Sequence, residues 1–345
     1  MHQLKQKYIS TGIRVTIVLF LFINNFTHAQ TSLFRHYTLT TSRLKSFQIH
    51  LATTDTAALK PLLIYLDGSG NFPIYFKTKS GNYSTSVPLD IKKYAKDFHV
   101  VLISKPDIPF KDSLQTSPSG RRYYPESSLY TQLYSLDWRA EAASEAIKFF
   151  LKKIPVDKRE IIVMGYSEGS QVAPKVAVIN KSVTHVVCIV GNVMNQLYDF
   201  LINTRLDVER NIISAEEGQT IIDSLYKEYE KIYADPSSVY KKWYGETYLK
   251  WSSFTQTTPL ENMLKLKIPI LYVAAGKDNN QTIIDMDYAK LEFIRQGKKN
   301  LTYKVYPGCN HYFQEQQLID GKTISIDRND EVHQFAIDWI TLITK

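Results

Sequence analysis

The stretch Ile161 Ile162 Val163 Met164 Gly165 Tyr166 Ser167 Glu168 Gly169 decides how this chain folds. Its first residues form a short apolar run that stops at a glycine, which is the pattern of a buried strand. From 168 to 180 the pattern turns helical. The spacing Gly165-x-Ser167-x-Gly169 therefore stands between a strand and the helix that follows it. A serine hydroxyl is a weak nucleophile, so it must be thrust out on a tight turn where a base can reach it and where a helix N-terminus favours developing negative charge. Glycines on either side permit such a turn.

Outward from this segment the same rhythm repeats. Short apolar runs at 61–66, 100–103, 185–191, 268–275 and 301–306 read as further strands, and 47–53 alternates like one. The first of them stops at Asp67 Gly68 Ser69 Gly70, the last at Pro307 Gly308. Amphipathic stretches at 138–153, with Asp137 as cap, at 283–296 and at 329–343 read as helices. Continuous apolar strands separated by helices specify an α/β fold, a mainly parallel sheet covered on both faces. Pro174 falls inside the helix launched at Ser167 and is expected to bend or tighten it. From 192 to 261 no strand-like run occurs, and rings such as Tyr229, Trp243, Trp251 and Phe254 stand amid charges at helical spacing. This predicts a helical cap insertion over the C-terminal edge of the sheet, its aromatics facing down, although ordinary helix packing accounts for at least half of them. Residues 113–134, rich in Ser, Pro and Tyr, read as a surface loop near the site.

These residues carry a resemblance. Over 45–345 the chain resembles the α/β-hydrolase superfamily, in which nucleophile, acid and base follow one another along the chain. Ser167 is followed by Asp278, just past the run 268–275, and by His311, just past the run 301–306. The resemblance implies that Ser167 attacks an acyl carbon, His311 takes and returns its proton, and Asp278 holds the imidazole. Asp285 and Asp287 are the alternative acids, but both fall within the following helix. The other histidines read as surface or core residues. The oxyanion hole is expected from the backbone N–H groups of Glu168 and Ser69. Asp67 stands where the family often has histidine, a departure that bears on the geometry of that loop.

Composition bounds the rest. The chain has 345 residues, 44% hydrophobic and 22% charged, with a net charge of +8, which suits a globular protein. No long basic run exists to track a phosphate backbone, so nucleic acid is not the expected partner. Neither H-E-x-x-H nor C-x-x-C nor an Asp-rich calcium loop occurs, and no metal or cofactor is expected. Of the two cysteines, Cys188 reads as a core residue and Cys309 as a free thiol or a partner for Cys188. The leading functional reading is a serine hydrolase that cleaves a carboxylic ester. A peptidase resembling the prolyl oligopeptidase group is the alternative, though no propeller repeat is visible. Capture of the acyl group by an acceptor other than water and a non-catalytic binding module stand behind these. The substrate is a small-molecule ester or short peptide, and the oligomeric state is not legible.

Residues 1–29 read as a secretory signal peptide: Lys5, Lys7 and Arg14 precede an apolar run from Val15 to Ile23, and Thr27 His28 Ala29 supply a small-residue cleavage site. The run is shorter than the roughly 20 residues that span a bilayer, so no stable membrane anchor is expected. Acyl-CoA substrates fit poorly with export. N-terminal sequencing of the exported protein is expected to begin at Gln30, and a chain still carrying Lys5 would overturn the reading.

Overall fold

The computed structural model describes residues 22–26, 33–78, 81–120 and 122–344. The expected signal segment lies outside these apart from Phe22–Phe26, whose backbone pairs antiparallel with Tyr83–Thr85.

Eight strands form the central sheet: β1 (Phe34–Thr41), β2 (Lys45–Ala52), β3 (Lys60–Leu66), β4 (His99–Ile103), β5 (Val156–Tyr166), β6 (His185–Ile189), β7 (Ile270–Ala275) and β8 (Leu301–Tyr306). They lie in the order β8-β7-β6-β5-β3-β4-β2-β1. Neighbours from β4 through β8 run parallel, whereas β1 and β2 form an antiparallel edge. The edge strand β1 alternates exposed and half-buried residues, and its polarity hid it from the apolar pattern.

Alternation along the inner strands divides the core between the two faces. Leu62, Ile64, Ile161, Val163, Val186 and Cys188 join one apolar cluster; Leu63, Tyr65, Ile162, Met164, Val187 and Ile189 join the other. The first face is covered by α1 (Leu136–Lys153) and α2 (Glu168–Ile179). Between β6 and β7 come α3 (Gln196–Glu209), α4 (Ala215–Ala234), α5 (Tyr248–Thr255) and α6 (Pro259–Lys265). The helix α7 (Ile283–Arg295) and α6 complete the first face, and α8 (Asn329–Thr344) covers the second through Val332, Ala336 and Ile340. Among the described residues no helix is long and apolar enough to cross a membrane.

Three details differ from the expectation. The cap of α1 is Ser135, whose side chain accepts the Trp138 N–H, while Asp137 lies in the first turn and pairs with Lys175. The rings of the insertion do not chiefly face the sheet. Tyr229, Trp243, Tyr248 and Trp251 pack with Leu197, Phe200 and Ile232 into a small core of their own, and only Phe254 among those rings joins the main one. Helices standing off a sheet must bury their apolar faces on one another. Residues 113–134, expected as loop, include a short helix, Ser128–Leu133, with Tyr130 and Tyr134 buried.

Both cysteines are buried free thiols. Cys188 is more than core filling. Helix α2 continues through Pro174, which has no N–H to offer the Ser170 carbonyl one turn back. The Cys188 thiol donates to that carbonyl instead, at 3.3 Å. Cys188→Ala is expected to cost about 1 to 3 kcal/mol in urea unfolding. In a Pro174→Ala background, where a backbone N–H returns, the cost should fall by at least about 0.5 kcal/mol; equal costs would remove Cys188 from this role.

Candidate active site

The turn from β5 into α2 is set by backbone contact. A Cβ on Gly165 would stand 2.1 Å from the Gly169 carbonyl oxygen, and one on Gly169 would stand 2.1 Å from that of Leu66. With no side chain at either position, the helix passes directly against the ends of β5 and β3. Ser167, at the apex, has φ 53° and ψ −123°, outside the ordinary regions for a side-chain-bearing residue. Such a conformation costs roughly 1 to 3 kcal/mol and persists only where its surroundings enforce it. Here the Ser167 N–H donates to the Ile189 carbonyl at 2.8 Å, and the Ser170 N–H and hydroxyl both donate to the Ser167 carbonyl.

The ends of β5, β7 and β8 bring Ser167, Asp278 and His311 together. His311 Nε2 lies 3.0 Å from Ser167 Oγ, and its Nδ1 lies 2.7 Å from Asp278 Oδ2. The other carboxylate oxygen of Asp278 accepts the N–H groups of Asn280 and Gln281, at 2.7 and 2.9 Å. The His311 carbonyl accepts the Tyr166 hydroxyl at 2.9 Å, so the residue before Ser167 also holds the imidazole loop. The alternative acids are engaged elsewhere. Asp287 accepts the Tyr303 hydroxyl, and Asp285 accepts the N–H groups of Val193 and Met194. The geometry of a serine–histidine pair recurs at Ser104 and His50, 3.0 Å apart, but both are buried and His50 turns its other nitrogen to His36. Burial and the neighbouring His36 push His50 down to about 3, and burial pushes His333 down to about 4, so neither carries charge at neutral pH.

The loop after β3 lies against the serine. A Cβ on Gly68 would stand 3.3 Å from Ser167 Cβ. Ser69 is exposed at this loop, and Glu168 opens α2, where the first N–H groups of a helix have no intrahelical partner. What the sequence did not reveal is the charge beneath them. Asp67 pairs with Lys105 at 2.9 Å and Arg139 at 2.8 Å; Glu168 pairs with Arg139 at 3.2 Å and with Lys250 of α5 at 3.0 Å. The Tyr134 hydroxyl donates to Glu168 as well. Lys105 also donates to the carbonyls of Gly68 and Gly70, at 2.7 and 2.6 Å, and Arg139 to that of Asp67. The departure at Asp67 thus supplies the anchor that ties the loop down. Nothing in the sequence signalled it, because its five charged residues lie far apart along the chain. Burial alone would raise the Glu168 carboxyl, but Lys250, Arg139 and Lys105 outweigh it and hold the group down at about 2. Burial lowers Lys105 despite the attraction of Asp67 and Glu168. Among the described residues no cluster of His, Cys, Asp or Glu could hold a metal ion.

Residues 141–315, which span β5 through the His311 loop, match the family described as BAAT / Acyl-CoA thioester hydrolase C terminal. The chain belongs to this family. No curated protein matches its sequence. Among solved structures, this member of the family is similar to a putative dipeptidyl aminopeptidase IV from Bacteroides ovatus, with TM-score 0.54 and 12% identity over 90% of this chain. It is similar to an acylaminoacyl peptidase from Pyrococcus horikoshii, with TM-score 0.52 and 11% identity over 81%. The chain spans only 36% and 37% of those two proteins. An alpha/beta hydrolase from Penicillium is covered over 97% of its length and matches 89% of this chain, with TM-score 0.52 and 12% identity. These likenesses show the α/β-hydrolase fold.

Glu168→Gln is expected to cost about 3 kcal/mol or more at pH 7, because it leaves three buried cations beside an uncharged amide. The depressed carboxyl contributes stability that is complete above its unfolded value of about 4.3 and is lost as the pH falls through the folded value. Urea unfolding across that acid range should therefore show a steeper decline in the parent than in Glu168→Gln; parallel profiles would mean that the carboxylate is not held by these cations.

Proposed function

We propose that the protein is a serine hydrolase that cleaves an acyl ester through an acyl-enzyme on Ser167. The observation that carries this reading is the continuous path from Ser167 Oγ through both imidazole nitrogens of His311 to Asp278. In the first half-reaction His311 Nε2 accepts the Ser167 proton as Oγ attacks the acyl carbon, and then donates it to the departing oxygen. In the second, a water gives its proton to the same nitrogen as it attacks the acyl carbon, and His311 returns that proton to Ser167 Oγ as the bond from Oγ to the acyl carbon breaks and the acid leaves. Asp278 keeps the Nδ1 proton in place and stabilises the imidazolium. The N–H groups of Glu168 and Ser69 are the donors proposed for the oxygen that gains charge. The rigid turn at residues 67–70, tied to Lys105 and Arg139, supports that assignment.

The family's description names a thioester hydrolase, which makes a thioester the second reading of the bond. The same path serves either leaving group, since a thiolate needs less protonation than an alkoxide. Export, the other part of the proposal, rests on the charge and apolar pattern of residues 1–29 and favours an oxygen ester over an acyl-CoA substrate.

Purified protein is expected to hydrolyse p-nitrophenyl acetate, butyrate or octanoate and to be labelled by a fluorophosphonate. Ser167→Ala should abolish both, and Asp278→Asn should lower kcat by about four orders of magnitude while leaving the fold intact. Labelling without ester turnover would move the substrate to thioesters or peptides. No labelling of Ser167 would sink the serine-hydrolase reading.

A further inference from the structure

Past His311 the chain forms a two-stranded ribbon, β9 (Gln314–Ile319) and β10 (Lys322–Asp327), which is a sheet of its own. Asp320 and Gly321 turn it, both at positive φ, as a tight two-residue hairpin requires. A hairpin alone is marginal in water, and an open edge invites another strand. This one also leaves apolar side chains bare: Leu318, Ile319 and Ile324 are 76%, 42% and 44% exposed.

Which edge is open follows from the register. The pairs run from Ile319–Lys322 to Gln314–Asp327, and the Arg328 N–H continues the ladder to the Phe313 carbonyl at 2.9 Å. In an antiparallel ladder every second pair exchanges its hydrogen bonds. The pairs in step with Phe313–Arg328 are Glu315–Ile326, Gln317–Ile324 and Ile319–Lys322, so the backbone groups of Thr323, Ser325 and Asp327 point away from β9. On the β9 side the outward groups of Gln314 are taken by Asn310, whose N–H donates to the Gln314 carbonyl while its Oδ1 accepts the Gln314 N–H. Among the described residues no other element bonds to the backbone of Thr323 or Ser325. The open edge belongs to β10.

A second copy fits that edge. A two-fold axis normal to the ribbon keeps every side chain on its own face, so it brings together only residues an even number apart in sequence. Centred on Ser325, the axis pairs the three outward residues among themselves, Ser325 with its own counterpart and Thr323 with Asp327, and it sets Ile324 against Ile326 on one face. Lys322 then comes opposite Arg328, whose guanidinium holds two carboxylates, Glu315 at 2.9 Å and Glu331 at 3.2 Å. That cluster has one negative charge in excess, and Lys322 makes no ion pair among the described residues. The axis thus brings each Lys322 to a net negative cluster of the other copy.

We propose that the protein forms a two-fold homodimer by antiparallel pairing of β10 with β10 of a second copy, giving a four-stranded sheet centred on Ser325. The interface does not depend on the chemistry assigned to Ser167. Sedimentation equilibrium of the purified protein is expected to show monomer and dimer in exchange. Ser325→Pro removes an outward N–H and none inside the ribbon, and should leave monomers. Lys322→Glu, at an exposed position, sets a carboxylate against Glu315 and Glu331 and should raise the dimer Kd about tenfold or more. Leu318→Lys removes the most exposed apolar side chain of the ribbon but lies on β9, and should dimerise as the parent does. Because both native cysteines are buried, Ser325→Cys supplies one reactive thiol that a short bis-maleimide should link across the axis. A parent that stays monomeric at every concentration, a dimer that survives both Ser325→Pro and Lys322→Glu, or one that is lost in Leu318→Lys alone would overturn the proposal.

Discussion

The contact between the first turn of α2 and the ends of β5 and β3 is the constraint on which the rest of the structure depends. Helix and strands approach until carbonyl oxygens occupy the space that side chains on Gly165 and Gly169 would need. That approach forces the backbone of Ser167 into a conformation it would not adopt alone. The compensating free energy comes from burial of α2, whose Val172, Ala173 and Val176 are inaccessible to solvent. The strain is local and its support is distributed, so the hydroxyl is presented on a platform that the whole sheet holds still.

Beneath that platform, five charged side chains from five parts of the chain replace the water that the loop at 67–70 would otherwise need. Buried ion pairs contribute little net stability when their desolvation is counted. Their value here is geometric: Lys105 and Arg139 bind backbone carbonyls and carboxylates at once, so the loop can hold one conformation against Ser167. Two buried acids farther along the chain illustrate the contrast. Asp278 has both oxygens satisfied, by two N–H groups and an imidazole, whereas Asp285, seven residues on, keeps one oxygen bare.

Much of this was legible from the residues alone, for definite physical reasons. Parallel strands buried on both faces have to be continuously apolar, so 161–165, 185–191 and 268–275 announced themselves, and Ser167, Asp278 and His311 were found at strand ends, where the structure brings them together. Local chemistry also misled. Asp137 and Ser135 are both good caps, and only the observed hydrogen bond to Trp138 N–H distinguishes them. The aromatic insertion read as a cover for the sheet because sequence spacing reveals an apolar face but not what lies opposite it. The edge strand β1 and the ion-paired cluster were invisible: one is too polar for the pattern, the other joins residues as distant as Asp67 and Lys250, whose meeting is a property of the closed fold.

Lys250 ties the insertion to the residue beside Ser167, and this limits how far α5 can lift. Lifting α5 would strip Glu168 of a cation at 3.0 Å and leave a carboxylate with fewer counter-charges in a site only 2% exposed. Such a rupture costs several kcal/mol, too much for a door that must open at every turnover. The helices α3 and α4 pack on α5 through the small core, Leu197 and Ile232 with Tyr248 and Trp251, so the tether holds them as well. One buried ion pair thus stiffens the whole insertion, with α5 as the post on which its other helices rest.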